Sequence, residues 1–209
     1  MNLFDAITSL VSVKRFEKTL VDDKLIGVIL YMGTNAPSAG NLQPWEFVIV
    51  KDEDTKKRLY EAAIKQEQVR DAPVDIIVCA DLKKASLKYQ ERGEFLYAIQ
   101  DTAGMITIMM VTANALGLGS YWVRAFDEEL VKEIANLPKE LRPVGIVSIG
   151  YPKEKPDKEE LIPFERLAWF DKYKQKYHIS EFFQPGPRLE VFEPIGNRLI
   201  EAVKKHRKK

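Results

Sequence analysis

Apolar positions along the chain follow two periods, and the alternation between them sketches the fold. Leu3, Ile7 and Leu10 recur at helical spacing and predict an amphipathic helix over residues 2–10. Leu25, Ile29 and Met32 repeat that spacing behind Asp22, whose side chain suits a helix start, so a second helix runs to about residue 32. Residues 46–50 form a short apolar run and read as a strand, residues 54–65 look helical, and residues 74–80 read as a second, buried strand. Between 93 and 116, Phe95, Ile99, Ala103, Ile106, Met110, Ala113 and Leu116 keep the helical period, while Ala98, Met105 and Ile108 make other faces apolar too. No Lys or Arg occurs from Gly93 through Val123. A helix apolar all round must be covered on all sides. A chain of 209 residues has little material for that, so part of the cover is expected from a second subunit. Gly117 and Gly119 end this central helix, and residues 120–123 read as a short strand. Asp127 caps a helix in which Leu130, Ile134 and Leu137 share a face, Pro138 ends it, and residues 143–149 are the last clear core strand. Past Pro163 the pattern loosens. Residues 172–177 are charged and aromatic, 184–187 form a rigid Pro-Gly-Pro break, and Pro194 opens a helix with Ile195, Leu199 and Val203 on its apolar face. The sum is an α+β core with a C-terminal arm.

Composition narrows the functions available. Charged residues make up 30% of the chain and nearly cancel, for a net charge of +1, which gives no global attraction to nucleic acid or to a membrane. The longest apolar passage, 102–113, is too short to span a bilayer. No secretory apolar segment lies near Met1, so cytoplasmic residence is expected. The single cysteine, Cys79, sits in an apolar run, where a packing role is the simplest reading. His178 and His206 have no second histidine or cysteine at ligand spacing, so no metal site is expected. No G-x-G-x-x-G follows a strand, so a dinucleotide would bind only as a transient substrate. The basic end, Lys204, Lys205, His206, Arg207, Lys208 and Lys209, reads either as a solvated helix terminus or as part of an arm that secures a dimer and assists phosphate binding.

The connection from helix to strand at residues 35–45 is longer than geometry demands. It carries small residues, Pro37 and Pro44, and the polar side chains of Ser38, Asn41 and Gln43. Small residues let backbone approach a flat ligand and prolines fix the loop's shape in advance. The same composition also suits an ordinary turn.

Four stretches together resemble the nitroreductase family of FMN-dependent NAD(P)H oxidoreductases. They are Ser12-Val13-Lys14-Arg15-Phe16, Pro37-Ser38-Ala39-Gly40-Asn41-Leu42-Gln43-Pro44-Trp45, the passage from Ala115 to Val123, and Val147-Ser148-Ile149-Gly150-Tyr151-Pro152. They occur in the family's order and cover roughly residues 1–170. The resemblance implies a nitroreductase-like mixed β-sheet flanked by helices in residues 1–170, with 171–209 as an extension that packs the dimer. It implies non-covalent FMN, with NAD(P)H as transient donor, and chemistry carried on the flavin rather than on a catalytic side chain. Carried over residue by residue, Ser12 and Lys14 fall on phosphate and ribityl contacts, with Arg15 adjacent. Pro37, Ser38, Ala39, Gly40 and Asn41 fall on a loop that reaches the flavin of the other subunit. Trp122, Val123 and Arg124 fall along the ring's edge. Gln43, Pro44 and Trp45 are expected to hold the loop's shape, and Gln100 and Asp101 to make structural hydrogen bonds. The resemblance also carries departures. Leu10 and Leu161 stand where arginines are common, which leaves the phosphate fewer cations. The implied activity is ping-pong hydride transfer to a small electron-poor acceptor in a homodimer. Other flavin chemistry on the same fold, or a non-enzymatic relative with weakened FMN binding, are the competing expectations.

Overall fold

The fold is taken from a computed structural model that describes residues 1–154 and 156–175. The chain divides into two units, Met1–Lys158 and a second beginning at Glu159. The expected break at Pro185, the helix from Pro194 and the basic end lie outside the described residues. Among the described residues of the second unit, one 3-10 turn, Phe164–Arg166, is formed.

In the first unit, helices α1 (Leu3–Thr8) and α2 (Asp23–Gly33) lead into β1 (Trp45–Val50). Then come α3 (Glu53–Ala62), α4 (Glu67–Asp71), β2 (Val74–Asp81) and α5 (Leu82–Arg92). A π turn at Gly93–Tyr97 joins α5 to the central helix α6 (Ala98–Ala115), followed by β3 (Gly119–Val123), α7 (Glu128–Ile134) and β4 (Leu141–Gly150). Aspartates start four of these helices in the same way. Asp22, Asp52, Asp81 and Asp127 accept the N–H of Lys24, Thr55, Lys84 and Leu130 at 2.8–3.0 Å, satisfying donors that the first turn leaves free.

The strands form one sheet in the order β1-β2-β4-β3, and all three ladders are antiparallel. The α+β class expected from the resemblance holds. The mixed pairing expected with it is limited, among the described residues, to a single parallel bridge from Ser12 to Ser120 on the outer edge of β3. β2 alternates its side chains between two cores. Ile76 and Val78 join Ile29, Met105, Ile106 and Met109 under α2 and α6, while Ile77 and Cys79 join Leu59, Val69 and Val131 under α3, α4 and α7. Burial pushes the Cys79 thiol up to about 12, consistent with the packing role read from its apolar run.

One sequence expectation is corrected here, and one element that the sequence reading left unassigned is added. The central helix does not begin at Gly93: residues 93–97 form the π turn, and α-helix begins at Ala98. Residues 82–92, which carry no apolar stripe, are helical nonetheless, with Ala85 as their buried contact. On α6, Thr102, Met105, Ile106, Met109, Met110 and Ala113 are buried, while Gln100, Gly104 and Thr107 face out. Among the described residues, the helix is therefore covered on one side only.

Candidate functional site

The loop between α2 and β1 is built from left-handed backbone. Gly40, Asn41 and Gln43 have φ of 56°, 58° and 51°. Only glycine takes such a conformation at no steric cost, and asparagine tolerates it better than most. The loop's polar groups hold it in place. The Asp101 carboxylate on α6 accepts the Ala39 N–H at 2.9 Å, and the Ser38 hydroxyl accepts the Gln43 N–H at 3.0 Å. The Gln43 amide donates to Asn41 Oδ1 at 3.0 Å, and Pro44 O accepts the Asp81 N–H at 2.7 Å, pinning the loop to the end of β2. Gln43 thus shapes the loop, as expected, with Pro44 and Trp45 buried beneath it. Asp101 makes the structural bond expected of it; burial raises its carboxyl and the Ala39 N–H opposes that rise. Gln100 instead points out of the core.

The N-terminal segment is the reverse. Ser12 pairs with Ser120 along the free edge of β3, and the Val13 N–H donates to Ser120 O at 3.0 Å. Alternation along this extended stretch buries Val13 and leaves Ser12 and Lys14 exposed on the other side. Among the described residues, Lys14 makes no ion pair and neither side chain is spent on a hydrogen bond. A hydroxyl and an uncommitted ammonium, two residues apart on an extended segment, fit a phosphate group. Arg15 points the other way. It lines a cleft of about 1030 Å³ together with Lys18, Lys56, Arg70 and Lys153. Leu10, where the resemblance expected a cation, is half-buried and packs against the core.

Beside this segment runs β3. Val123 is buried and pairs with Ile146. Trp122 lies over Gly145, where any Cβ would strike the indole, and its buried Nε1 has no partner among the described residues. The exposed Arg124 guanidinium covers the same ring at 4.2 Å. A turn that sequence reading missed sits next to this strand end. Ile64 and Lys65 have φ of 55° and 56°, and the Gln66 amide donates to Ala63 O at 2.9 Å and to Ala125 O at 2.7 Å. No glycine or asparagine announces that turn.

The two groups stand far apart in one chain. The loop enters β1 at Trp45 on one edge of the sheet, and Ser12 flanks β3 beyond the other edge, four strand spacings or about 19 Å away. Helix α6 gives a second ruler. Asp101 holds Ala39, and the Asn114 amide donates to Ser9 Oγ at 2.9 Å. The thirteen residue steps from Asp101 to Asn114 correspond to about 20 Å of helix. The structure therefore brings Ser12, Lys14 and β3 together, and Pro37 to Asn41 together, but not the two sets with each other.

Comparison with known proteins agrees with this architecture. The Nitroreductase family profile matches residues 7–71 and 62–151. A Thermus thermophilus protein named NADH dehydrogenase is 32% identical over 184 residues, covering 75% of this chain and 90% of its own. An Archaeoglobus fulgidus protein, named as a putative NADH dehydrogenase/NAD(P)H nitroreductase, is 31% identical over 150 residues, covering 70% and 83%. Among solved structures, an Exiguobacterium sibiricum nitroreductase-like protein in complex with FMN superposes with a TM-score of 0.74 at 19% identity, over 81% of this chain and 97% of that one, which speaks for the fold. Profile, relatives and fold agree, and the chain belongs to the nitroreductase family.

Proposed function

We propose that this protein is a cytoplasmic, homodimeric, FMN-dependent NAD(P)H oxidoreductase whose flavin sites lie between two copies. Its acceptor would be a small electron-poor molecule, a nitroaromatic or a quinone, reduced in a ping-pong cycle. The observation that carries this reading is the separation of about 20 Å between the loop and the Ser12–Lys14 segment. Each is exposed and each fits part of one ligand, so a second copy would complete what one chain leaves open. Exposed apolar side chains on α1 and α2, among them Leu3, Ile7, Val28, Tyr31 and Met32, and the outward face of α6 supply surface for that copy to cover.

The residues divide the work. Ser12 and Lys14 hold the phosphate and ribityl chain. Residues 122–124 run backbone along the ring's edge. The partner's loop, residues 37–41, walls the ring with backbone held rigid by Asp101. Bound FMN would supply the hydride-transfer chemistry between NAD(P)H and the second substrate.

Two measurements test this. FMN fluorescence should be quenched on binding, and sedimentation should show a dimer at micromolar concentration. Lys14→Glu and Gly40→Val should each be inactive alone. Mixed after subunit exchange, they should regain activity, because a mixed dimer carries one site with neither change. No recovery on mixing would refute a shared site. Leu10 favours a second reading, a relative with weakened FMN binding, since its apolar side chain leaves Lys14 without a nearby arginine on that face. Absence of quenching at every FMN concentration would favour it.

A further inference from the structure

The strongest uncommitted charge in the described chain lies on α5. Lys83, Lys84, Lys88 and Arg92 fall within eleven residues against a single acidic neighbour, Glu91. None of the four is within ion-pairing distance of a carboxylate among the described residues, whereas Lys51, Lys57, Arg58, Arg70, Lys132 and Arg142 all are. Two of the four reach toward the loop. Lys84 donates to Gln43 O at 3.2 Å and Lys88 to Gly40 O at 3.5 Å. A Cβ on Gly40 would meet the Lys88 ammonium and the Tyr89 hydroxyl, so the tips of both side chains lie directly against the loop.

An aromatic cluster continues the rim. Tyr89 and Tyr97 meet edge to face with centroids 5.2 Å apart. Lys88 lies over the Tyr89 ring at 5.5 Å, and Arg92 lies over Tyr97 at 5.3 Å while donating to its hydroxyl at 2.8 Å. Exposed Phe95 adds apolar surface on the same segment. The backbone here is costly. Gln90 has φ 52° and ψ −141°, a conformation that non-glycine residues rarely adopt, and a π turn follows at once. Gly93 folds so tightly on the carbonyl of Ala85 that no side chain fits. Strain of this kind persists where surrounding structure imposes it, and π turns recur at functional sites.

We propose that α5 and the π turn form a rim on the flavin loop that selects flat substrates carrying a negative charge, with Lys88 and Arg92 as the specificity-determining cations and Tyr89 and Tyr97 as the stacking surface. The proposal rests on the flavin-site reading for its location. A planar ring stacks on tyrosine, and its carboxylate or phosphate takes the ammonium and guanidinium, which here have no competing carboxylate. Such charge could belong to the acceptor or to the diphosphate of the nucleotide donor.

The test is binding of 2-naphthoate and its uncharged amide, 2-naphthamide, to the purified protein by calorimetry. Naphthoate should bind roughly tenfold tighter than the amide, the size of a charge-assisted contact at a partly exposed site. The Lys88→Gln/Arg92→Gln variant should lose that preference and bind the amide as before, and Lys88→Arg/Arg92→Lys should restore it. Equal binding of the two ligands by the wild type, or a preference that survives in the glutamine variant, would overturn the proposal. ADP-ribose separates the sources: displacement of naphthoate assigns the cations to a nucleotide diphosphate, and coexistence assigns them to a charged acceptor. The titration reads binding without turnover, so failure of the flavin reading, seen as no FMN quenching, is a separate result.

Discussion

The two ends of the sheet spend their polar groups differently. At the loop end, Ala39 N–H, Ser38, Asn41, Gln43 and Asp101 satisfy one another, and left-handed residues set the backbone. In the other half, the three buried side-chain atoms without a hydrogen-bond partner among the described residues are Ser120 Oγ, Trp122 Nε1 and Asp75 Oδ2, the last of which has only the Lys56 ammonium at 3.7 Å. The register of β2, β4 and β3 places all three within a few residues of Val74 and Ile149. Exposed Ser12 and Lys14 join that half through the Ser120 bridge. Unpartnered buried polar groups cost stability. The loop end is accordingly a shape held rigid, and the far end a set of groups held in reserve. A ligand site shared between copies needs both: a fixed wall from one chain and free donors from the other.

The largest effect expected is at the far end, in the buried pair of Lys56 and Asp75. Their charged atoms are 3.7 Å apart, Lys56 also donates to Ala72 O, and Ser148 donates to Asp75 Oδ1 at 2.5 Å. Burial pushes the Asp75 carboxyl up to about 7, with Lys56 and Ser148 opposing it. The sign follows from proton counting. Between about pH 4 and pH 7 the folded chain keeps a proton that the unfolded chain has released, so this group's contribution falls as pH rises through that window and levels off above it. Lys56→Met leaves the carboxyl alone. Breaking such a pair costs about 3–5 kcal/mol when the remaining charge must stay ionised. That loss should appear in urea unfolding at pH 8 and shrink at pH 5, where the carboxyl is neutral. Equal losses at both pH values would mean the pair is not held this way.

Next in size come two substitutions that should fail in different ways. Asp101→Leu removes the bond that fixes Ala39, and should cost about 1–2 kcal/mol of stability. It should also weaken FMN uptake, because the wall loses its shape. Lys14→Ala should weaken FMN binding roughly tenfold or more through loss of a charge-assisted contact, while the thermal midpoint stays where it was. A drop in thermal midpoint for Lys14→Ala would contradict the reading of that end as uncommitted.

The elements were legible where one period ran long. Helix α2, strand β2 and the start of helix α7 were read within a residue or two, because buried faces impose a pattern and aspartate marks the starts; α7 ends at Ile134, short of the expected Leu137. Leu82–Arg92 was not, since its contact with the core is essentially Ala85 and its cations face outward. The π turn stayed hidden because Phe95 and Ile99 keep a helical spacing across it. The loop was legible as chemistry from Pro37, Ser38, Gly40 and Asn41. Its distance from Ser12 was not, because strand order is set by long-range pairing that no local pattern records. Arg15, adjacent to Lys14 in sequence, lines a different cleft, because extended backbone sends neighbouring side chains to opposite sides.

The smallest effect should come from Ser120→Ala, and it bears directly on whether the far end is held in reserve. Ser120 is 2% exposed, its hydroxyl finds no partner among the described residues, and it lines a cavity of about 160 Å³ with Leu10, Val11 and Val13. Its backbone carbonyl, not its side chain, accepts the Val13 N–H, so the bridge to the N-terminal segment survives the change. Replacing a satisfied buried hydroxyl costs about 1 kcal/mol, but one that makes no hydrogen bond can be removed at little or no loss. The expected result is an unfolding free energy within about 0.5 kcal/mol of wild type, the range of substitutions away from any critical contact. FMN affinity should fall slightly if the hydroxyl turns toward the ligand, and stay constant if it meets only water in the cavity. A stability loss of about 1 kcal/mol or more would show that the group is already engaged, and the contrast between the two ends of the sheet would narrow to Lys14 and Trp122.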